Sequence, residues 1–347
     1  MSATTPTPDD AKSLTTFSPA RLRRLAMSYA AVIALIILVV AVSSQSDAFL
    51  TSENLLNLTS QWAPAGIMAV GMTFVIITGG FDLSIASGYS LCAVIAAGLG
   101  RNHPPIVAFA AAIGAGLGMG MINAFLVAFM NINPFIATVG TGSIFNGVAL
   151  VLTGNGTYIV DNPAFGVLGT NGIGGVPFSG MILFVALVVG GVVLAKTVYG
   201  QQIYATGGSR EASRLSGVLV RSVTGSAYVM SGFCVAIAGI ITASQLSSAQ
   251  SNLDVNIVFD VITIVVVGGT SLAGGIGAMW RTAVGIALLA TISNGFVILQ
   301  IDPNYQDIIK GVIIIIALGV DVWSRHMSSF RPRAALAGMR APRRRTE

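Results

Sequence analysis

Charge is scarce in this chain. Only 9% of its 347 residues are Asp, Glu, Lys or Arg, against roughly 25% in a soluble domain, too few to wet the surface of a water-soluble protein. Residues 25–46, 54–81, 102–160, 162–195, 222–253, 261–280 and 282–301 carry no charge at all. Cysteine is nearly missing. Cys92 and Cys234 both fall inside apolar segments expected to span the membrane, so no disulfide framework or cysteine metal centre is visible. The two histidines, His103 and His326, lie in a loop and a tail, too far apart for a metal site. None of the three lysines (Lys12, Lys196, Lys310) follows a glycine, and no G-x-x-x-x-G-K-[ST] occurs. The chain therefore has no P-loop to cradle ATP phosphates. No convergent His, Asp or Glu set sits within the apolar stretches, so a membrane-embedded enzyme is excluded. An ion-coupled secondary transporter would need paired charges within several helices, and only Asp82 and Asp260 are candidates.

What the chain has instead is apolar length. Hydrophobic residues make up 54%, and a bilayer core about 30 Å thick is crossed by about 20 apolar helical residues. The segment Ala30–Val40 is apolar throughout, without the alternation of a barrel strand, so the spans are helices whose backbone groups pair within the segment. The expected fold is all-α, a polytopic transmembrane bundle of about ten spans near 25–45, 62–80, 84–100, 105–130, 134–153, 177–195, 223–244, 257–272, 280–300 and 307–324. The third and eighth are short and glycine-rich, and each is read as a full span or a half-helix. Residues 51–61 are expected as a short helix lying at the interface. The first span follows Arg21, Arg23 and Arg24 but is longer than a signal-peptide core, and is read as retained.

Even span number puts both termini on one side. All 18 basic residues except Arg101 and Lys310 then fall on that side, which the positive-inside rule assigns to the cytoplasm. The pI near 9.5 is thus a signal of topology and gives no indication of nucleic-acid binding. Asp47, Glu53, Asp161, Asp254, Asp302 and Asp307 fall on the other side, with Asp260 and Lys310 within snorkelling reach of it. The expected organisation is a disordered N-tail at 1–24, a transmembrane domain at 25–324 with a cytoplasmic loop at 196–222, and a basic C-tail at 325–347.

That loop, KTVYGQQIYATGGSREASRLSGVLVR, is charged and built like structure. Ser209 is placed to cap a helix starting at Arg210, and Gly217 to end it. Arg210, Glu211 and Arg214 take polar positions and Leu215 points toward the membrane. It is either a plain connector or a docking helix for a cytoplasmic partner.

Glu211-Ala212-Ser213-Arg214-Leu215-Ser216-Gly217 is similar to the EAA-x-x-x-G loop of permeases from binding-protein-dependent ABC importers. Tyr199 to Gly217, Gly79 to Ser87 (GGFDLSIAS), Asn133 to Gly140 (NPFIATVG) and Gly268 to Gly277 (GGTSLAGGIG) together resemble the ribose, xylose, arabinose and galactose branch, in order and over about residues 25–324. Ser213, where Ala is commoner, and Ala86 depart from the pattern. The resemblance implies a bacterial inner-membrane subunit that moves a monosaccharide (pentose, hexose or similar polyol). It further implies a second permease copy, a cytoplasmic ATP-binding subunit and a periplasmic sugar-binding protein. ATP and Mg2+ belong to the ATP-binding subunit, with no cofactor on this chain. Arg210, Glu211, Ala212, Ser213, Arg214 and Gly217 become the ATPase-coupling set. A branched-chain amino acid, a nucleoside or a signalling furanose is the alternative cargo.

Several residues allow two readings. Asp82 either caps the third span, accepting N–H groups near Ser84 and Ile85, or faces the pathway beside a Gly-Gly break. Asn133-Pro134 starts a helix, and Phe135 is a candidate stacking face for a sugar. Asn123, Thr138, Asn146, Asn294 and Gln300 are glue between helices or sugar ligands, and Asp82, Phe135, Thr138, Asn146 and Asn294 form the candidate pathway set. Gly114-x-x-x-Gly118 and Gly116-x-x-x-Gly120 are expected as close-packing faces. The Gly268–Gly277 stretch resembles the pattern at 79–87 with an offset of 189 residues, either a remnant of an internal repeat or a similarity over ten positions alone, and is expected as a tight cytoplasmic turn rather than a sugar contact.

Overall fold

A computed structural model describes residues 29–254, 256–302, 305–306, 308–313, 315–316 and 319. The expected tails at 1–24 and 325–347, and with them Lys12, Arg21, Arg23, Arg24, Asp307 and His326, lie outside the described residues. The protein is a helical bundle. Six helices are long and apolar enough to cross a bilayer: α2 (Ser52–Ile77), α4 (Pro105–Ala124, extended by a π-turn at Phe125–Phe129), α5 (Pro134–Thr153), α7 (Phe178–Lys196), α10 (Val220–Leu246) and α12 (Met279–Ile298). Among the described residues three apolar helices are shorter: α1 (Ala30–Ser43), α3 (Ile85–Gly100) and α11 (Ile257–Val267). The connectors are α6 (Pro163–Thr170), α8 (Val198–Gly208) and α9 (Arg210–Leu215), with four strands at β1 (Thr157–Ile159), β2 (Gly172–Ile173), β3 (Val176–Pro177) and β4 (Ser248–Gln250). Of the ten expected spans, six thus have full crossing length among the described residues.

Helices α2 and α10 form the antiparallel centre, with 89% and 72% of their apolar windows buried. They meet where side chains vanish: a Cβ on Gly71 would stand 2.8 Å from the Ser231 Cα. Helix α4 closes on the other side of α10 in the same way. Cβ atoms on Gly116 and Gly120 would reach the Gly232 and Tyr228 carbonyls at 2.5 and 2.7 Å. Gly114 and Gly118 face open space, so only one of the two expected small-residue faces packs within this chain.

Lys196, Arg210, Arg214, Arg221 and Arg281 gather at one end of the bundle, hereafter the basic end. The opposite end carries Glu53, Arg101, Asp161 and the strands, β1 pairing antiparallel with β4 and β2 with β3.

The separate interfacial helix expected at 51–61 does not exist. Helix α2 runs unbroken through Pro64 for 26 residues, with Thr51 as its cap. Proline deprives the carbonyl four residues back of its donor, here that of Ser60. Gln245 of α10 repairs the defect, its Nε2 donating to the Ser60 carbonyl at 3.1 Å and to its Oγ at 3.3 Å. Gln245→Ala should cost about 1–3 kcal/mol, the penalty for an orphaned buried group. In a Pro64→Ala background the cost should shrink, because residue 64 then donates to Ser60 itself. Equal losses in both backgrounds, read as thermal denaturation in detergent, would show that Gln245 acts otherwise.

Candidate coupling loop and the broken helices beneath it

The basic end is built from three glycine-bearing turns. Helix α2 stops in a Schellman arrangement: Gly79 (φ 79°) donates to the Ile76 carbonyl at 2.9 Å and Gly80 to that of Val75 at 3.0 Å. Helix α11 stops the same way, Gly269 (φ 100°) donating to Val266 and Thr270 to Val265 at 2.9 and 3.1 Å. The positive φ selects glycine in both. The two motifs therefore superpose with Gly79 on Gly269, one residue beyond the offset read from the sequence, and the second is a tight turn between α11 and α12.

The third turn is the end of α8, and here backbones touch. The Gly275 N–H donates to the Ile77 carbonyl at 2.8 Å. A Cβ on Gly207 would overlap both that carbonyl oxygen and the Gly275 nitrogen, and one on Gly275 would lie 2.9 Å from the Gly208 Cα. Tyr204 pins α8 further, donating to the Gly277 carbonyl at 2.9 Å, while Tyr199 pairs with Ser226 at 2.7 Å. Burial pushes both phenols above their ordinary pKa, so each stays a neutral hydroxyl.

Helix α9 hangs from this junction. Ser209 accepts from the Ala212 N–H at 3.3 Å. Gly217 (φ 85°) donates to Arg214 and Val218 to Ser213, both at 3.0 Å, which completes a third Schellman stop. Ser213 is buried at the contact with the bundle, which explains why a small side chain stands there. Arg210 is exposed, and Glu211 and Arg214 are exposed and paired at 2.9 Å. Leu215 and Leu219 are 78% and 74% exposed, so Leu215 is left bare of protein and does not pack onto the bundle.

Between α2 and α3 the chain turns back into the bundle, carrying Asp82 with it. Asp82 is 3% exposed. Its Oδ1 accepts from the Ser84 N–H (3.1 Å), Ser84 Oγ (2.6 Å) and Asn123 Nδ2 (3.4 Å), and its Oδ2 from Ser231 Oγ (3.0 Å). Asn123 also donates to Ser84 Oγ at 2.8 Å and accepts from Thr141 at 2.7 Å. Thr138 accepts from the Leu83 N–H at 3.0 Å, and Tyr228 donates to the Phe81 carbonyl at 3.0 Å. The carboxylate thus staples the break to α4 and α10 and closes a local turn on Ser84, whose N–H precedes the first helical residue, Ile85, so Asp82 is not the expected cap of α3. A cavity of ≈ 10 Å³ adjoins it, room for a single water and far too little for a sugar ring.

Of the five candidate pathway residues, Asp82 and Thr138 come together in this network. Asn294 stands apart, in a reciprocal amide pair with Asn54 at 2.9 Å in both directions. Phe135 is 58% exposed and Asn146 half-buried on α5. Sequence reasoning named the Ser84 N–H but missed the hydroxyls of Ser84 and Ser231. The Asp-x-Ser spacing hints at the first, and nothing local hints at the second, 149 residues away.

The family described as branched-chain amino acid transport system / permease component matches residues 54–318. The chain belongs to that permease family. Among its curated relatives, the permease resembles the ribose import permease protein RbsC of Bacillus subtilis, 38% identical over 83% of this chain and 90% of that one. The RbsC of Escherichia coli K12 is 37% identical over 85% and 94%. The L-arabinose ABC transporter permease protein AraH of Azospirillum brasilense is 29% identical over 93% and 95%. No solved structure matches the permease.

Proposed function

We propose that this permease is the membrane-spanning subunit of an ATP-driven importer for a monosaccharide, working as a pair of permeases in a bacterial inner membrane. The basic end faces the cytoplasm, where lysine and arginine are retained. A binding protein delivers sugar at the opposite end, and the chemical work arrives from a cytoplasmic ATPase that holds ATP and Mg2+. Curated relatives named for ribose and arabinose, matched over most of their length, support sugar over the amino acid in the family's description.

The observation that carries the coupling role is helix α9: three turns of backbone anchor it at one side, and its other side is charged and bare. Arg210, Glu211, Ala212, Ser213, Arg214 and Gly217 are its working residues, Ser213 seating the helix, Gly217 ending it and the charged ones meeting the ATPase. An exposed ion pair such as Glu211–Arg214 contributes no more than ~1 kcal/mol to a fold. Glu211→Lys should therefore leave insertion and thermal stability unchanged while weakening ATPase binding at least tenfold, about 1.4 kcal/mol. Unaltered co-purification of the ATPase with this variant would end the docking assignment. Uptake in proteoliposomes that requires both partners, with D-ribose and L-arabinose against leucine, tests the cargo class.

A further inference from the structure

The opposite half of the bundle holds a second break, before the eighth expected span, which the sequence leaves open as a full span or a half-helix. After α10 and β4, the chain should lie in a surface loop, with Asp254 at the bundle's edge. It does not. The Leu253 N–H donates to Ser90 Oγ of α3 at 3.4 Å. Ser90 sits level with Gly239 of α10, since a Cβ on Gly239 would lie 2.6 Å from the Tyr89 carbonyl and 3.0 Å from the Ala93 nitrogen. Gly239 precedes the end of α10 at Leu246 by about 10 Å, at ~1.5 Å per residue. The chain has thus sunk about 10 Å into the bundle before α11 begins. Helix α11 has 11 residues, about 16 Å, and ends at the basic end, where a Cβ on Gly268 would overlap the Arg281 carbonyl. It covers only the half of the membrane nearest that end. Residues 251–254 and Asn256, which lead into it, belong to no helix.

Non-helical backbone at this depth exists only where protein or a water-filled cavity surrounds it. Its side chains say which. Ser251 is buried and Leu253 half-buried, whereas Asn252, Asp254 and Asn256 are exposed. A carboxylate at membrane depth costs at least ~2.5 kcal/mol, so these groups do not face acyl chains. Phe259, in the first turn of α11, adds an exposed aromatic ring, 56% accessible. Asp254 also accepts from the Asn256 backbone N–H at 2.9 Å, which holds the carboxylate against the backbone that leads into α11. Behind them the Asp260–Lys310 ion pair, 2.9 Å long and 14% and 15% exposed, fixes the start of α11.

We propose that Asn252, Asp254, Asn256 and Phe259 line the aqueous route and contact the sugar. The carboxylate accepts from adjacent hydroxyls, the amides both donate and accept, and the ring covers a C–H face. This rests on the reading of the permease as a sugar importer. The closed network around Asp82 has no room for that role.

The test uses the full complex with its ATPase and binding protein. Cys92 and Cys234 are both buried, so single Asn252→Cys and Asn256→Cys variants report cleanly on a membrane-impermeant methanethiosulfonate reagent. Both should label, and D-ribose or L-arabinose turnover should slow labelling at least threefold. Asp254→Asn should lower uptake at least tenfold with complex assembly unchanged. Sugar uptake with neither cysteine labelled, or with Asp254→Asn at full rate, overturns the site. Labelling in a complex that moves neither sugar preserves an aqueous route but defeats the sugar reading, and the contact assignment falls with it.

Discussion

Gly207→Ala should unfold or disassemble the basic end of the permease, whereas Gly208→Ala, one position on, should be harmless. Both glycines lie in α8, where alanine is intrinsically better by ~1 kcal/mol. At 208 nothing lies within 4 Å of the new methyl, so that preference is realised. At 207 the methyl would overlap the Ile77 carbonyl and the Gly275 nitrogen, backbone atoms held by the Gly275–Ile77 hydrogen bond. Overpacking costs typically ~1–3 kcal/mol when side chains can yield. Here two backbones must separate and a buried hydrogen bond opens, which adds about 1–3 kcal/mol more. The clash wins over propensity by severalfold. The measurement is thermal denaturation of each purified variant in detergent. A Gly207→Ala protein as stable as Gly208→Ala would mean that α8 does not seat on the two turns as described.

Lys310→Ala is the second large effect. Lys310 Nζ lies 2.9 and 3.2 Å from the two Asp260 oxygens, and neither side chain is more than 15% exposed. Removing the ammonium leaves a carboxylate in low dielectric, a change that costs ~3–5 kcal/mol in buried pairs. The partial positive charge at the start of α11 offsets only ~0.3–1 kcal/mol of that. Asp260→Asn combined with Lys310→Met should recover most of the loss, because a neutral pair has no desolvation penalty to meet. The double variant proving as unstable as the single one would show that packing, and not charge, governs this contact.

The long apolar helices were legible because each is a local fact: the window that spells α4, α5, α7, α10 or α12 contains its own evidence. The stops of α9 at Ser209 and Gly217 were legible for the same reason, since capping chemistry reads within six residues. The continuity of α2 was not. The polar stretch at 51–61 reads as a separate interfacial helix, and the group that helps carry α2 through Pro64, Gln245, arrives from another helix. Nor was the depth of Asp254 legible, because the residues from Ser248 to Asn256 look like any polar connector until Ser90 is seen beside Leu253.

Residues read along the chain establish that it lives in a membrane, that its basic residues gather on one side, and that no P-loop motif occurs in it. Those follow from composition and from motifs that need only neighbours along the chain. Tertiary structure alone decided where backbone meets backbone at Gly207, which carboxylate is stapled and which is bare, and how deep the second break reaches. Each of those depends on atoms far apart in sequence, whose meeting is fixed by close helix packing and leaves no periodic trace.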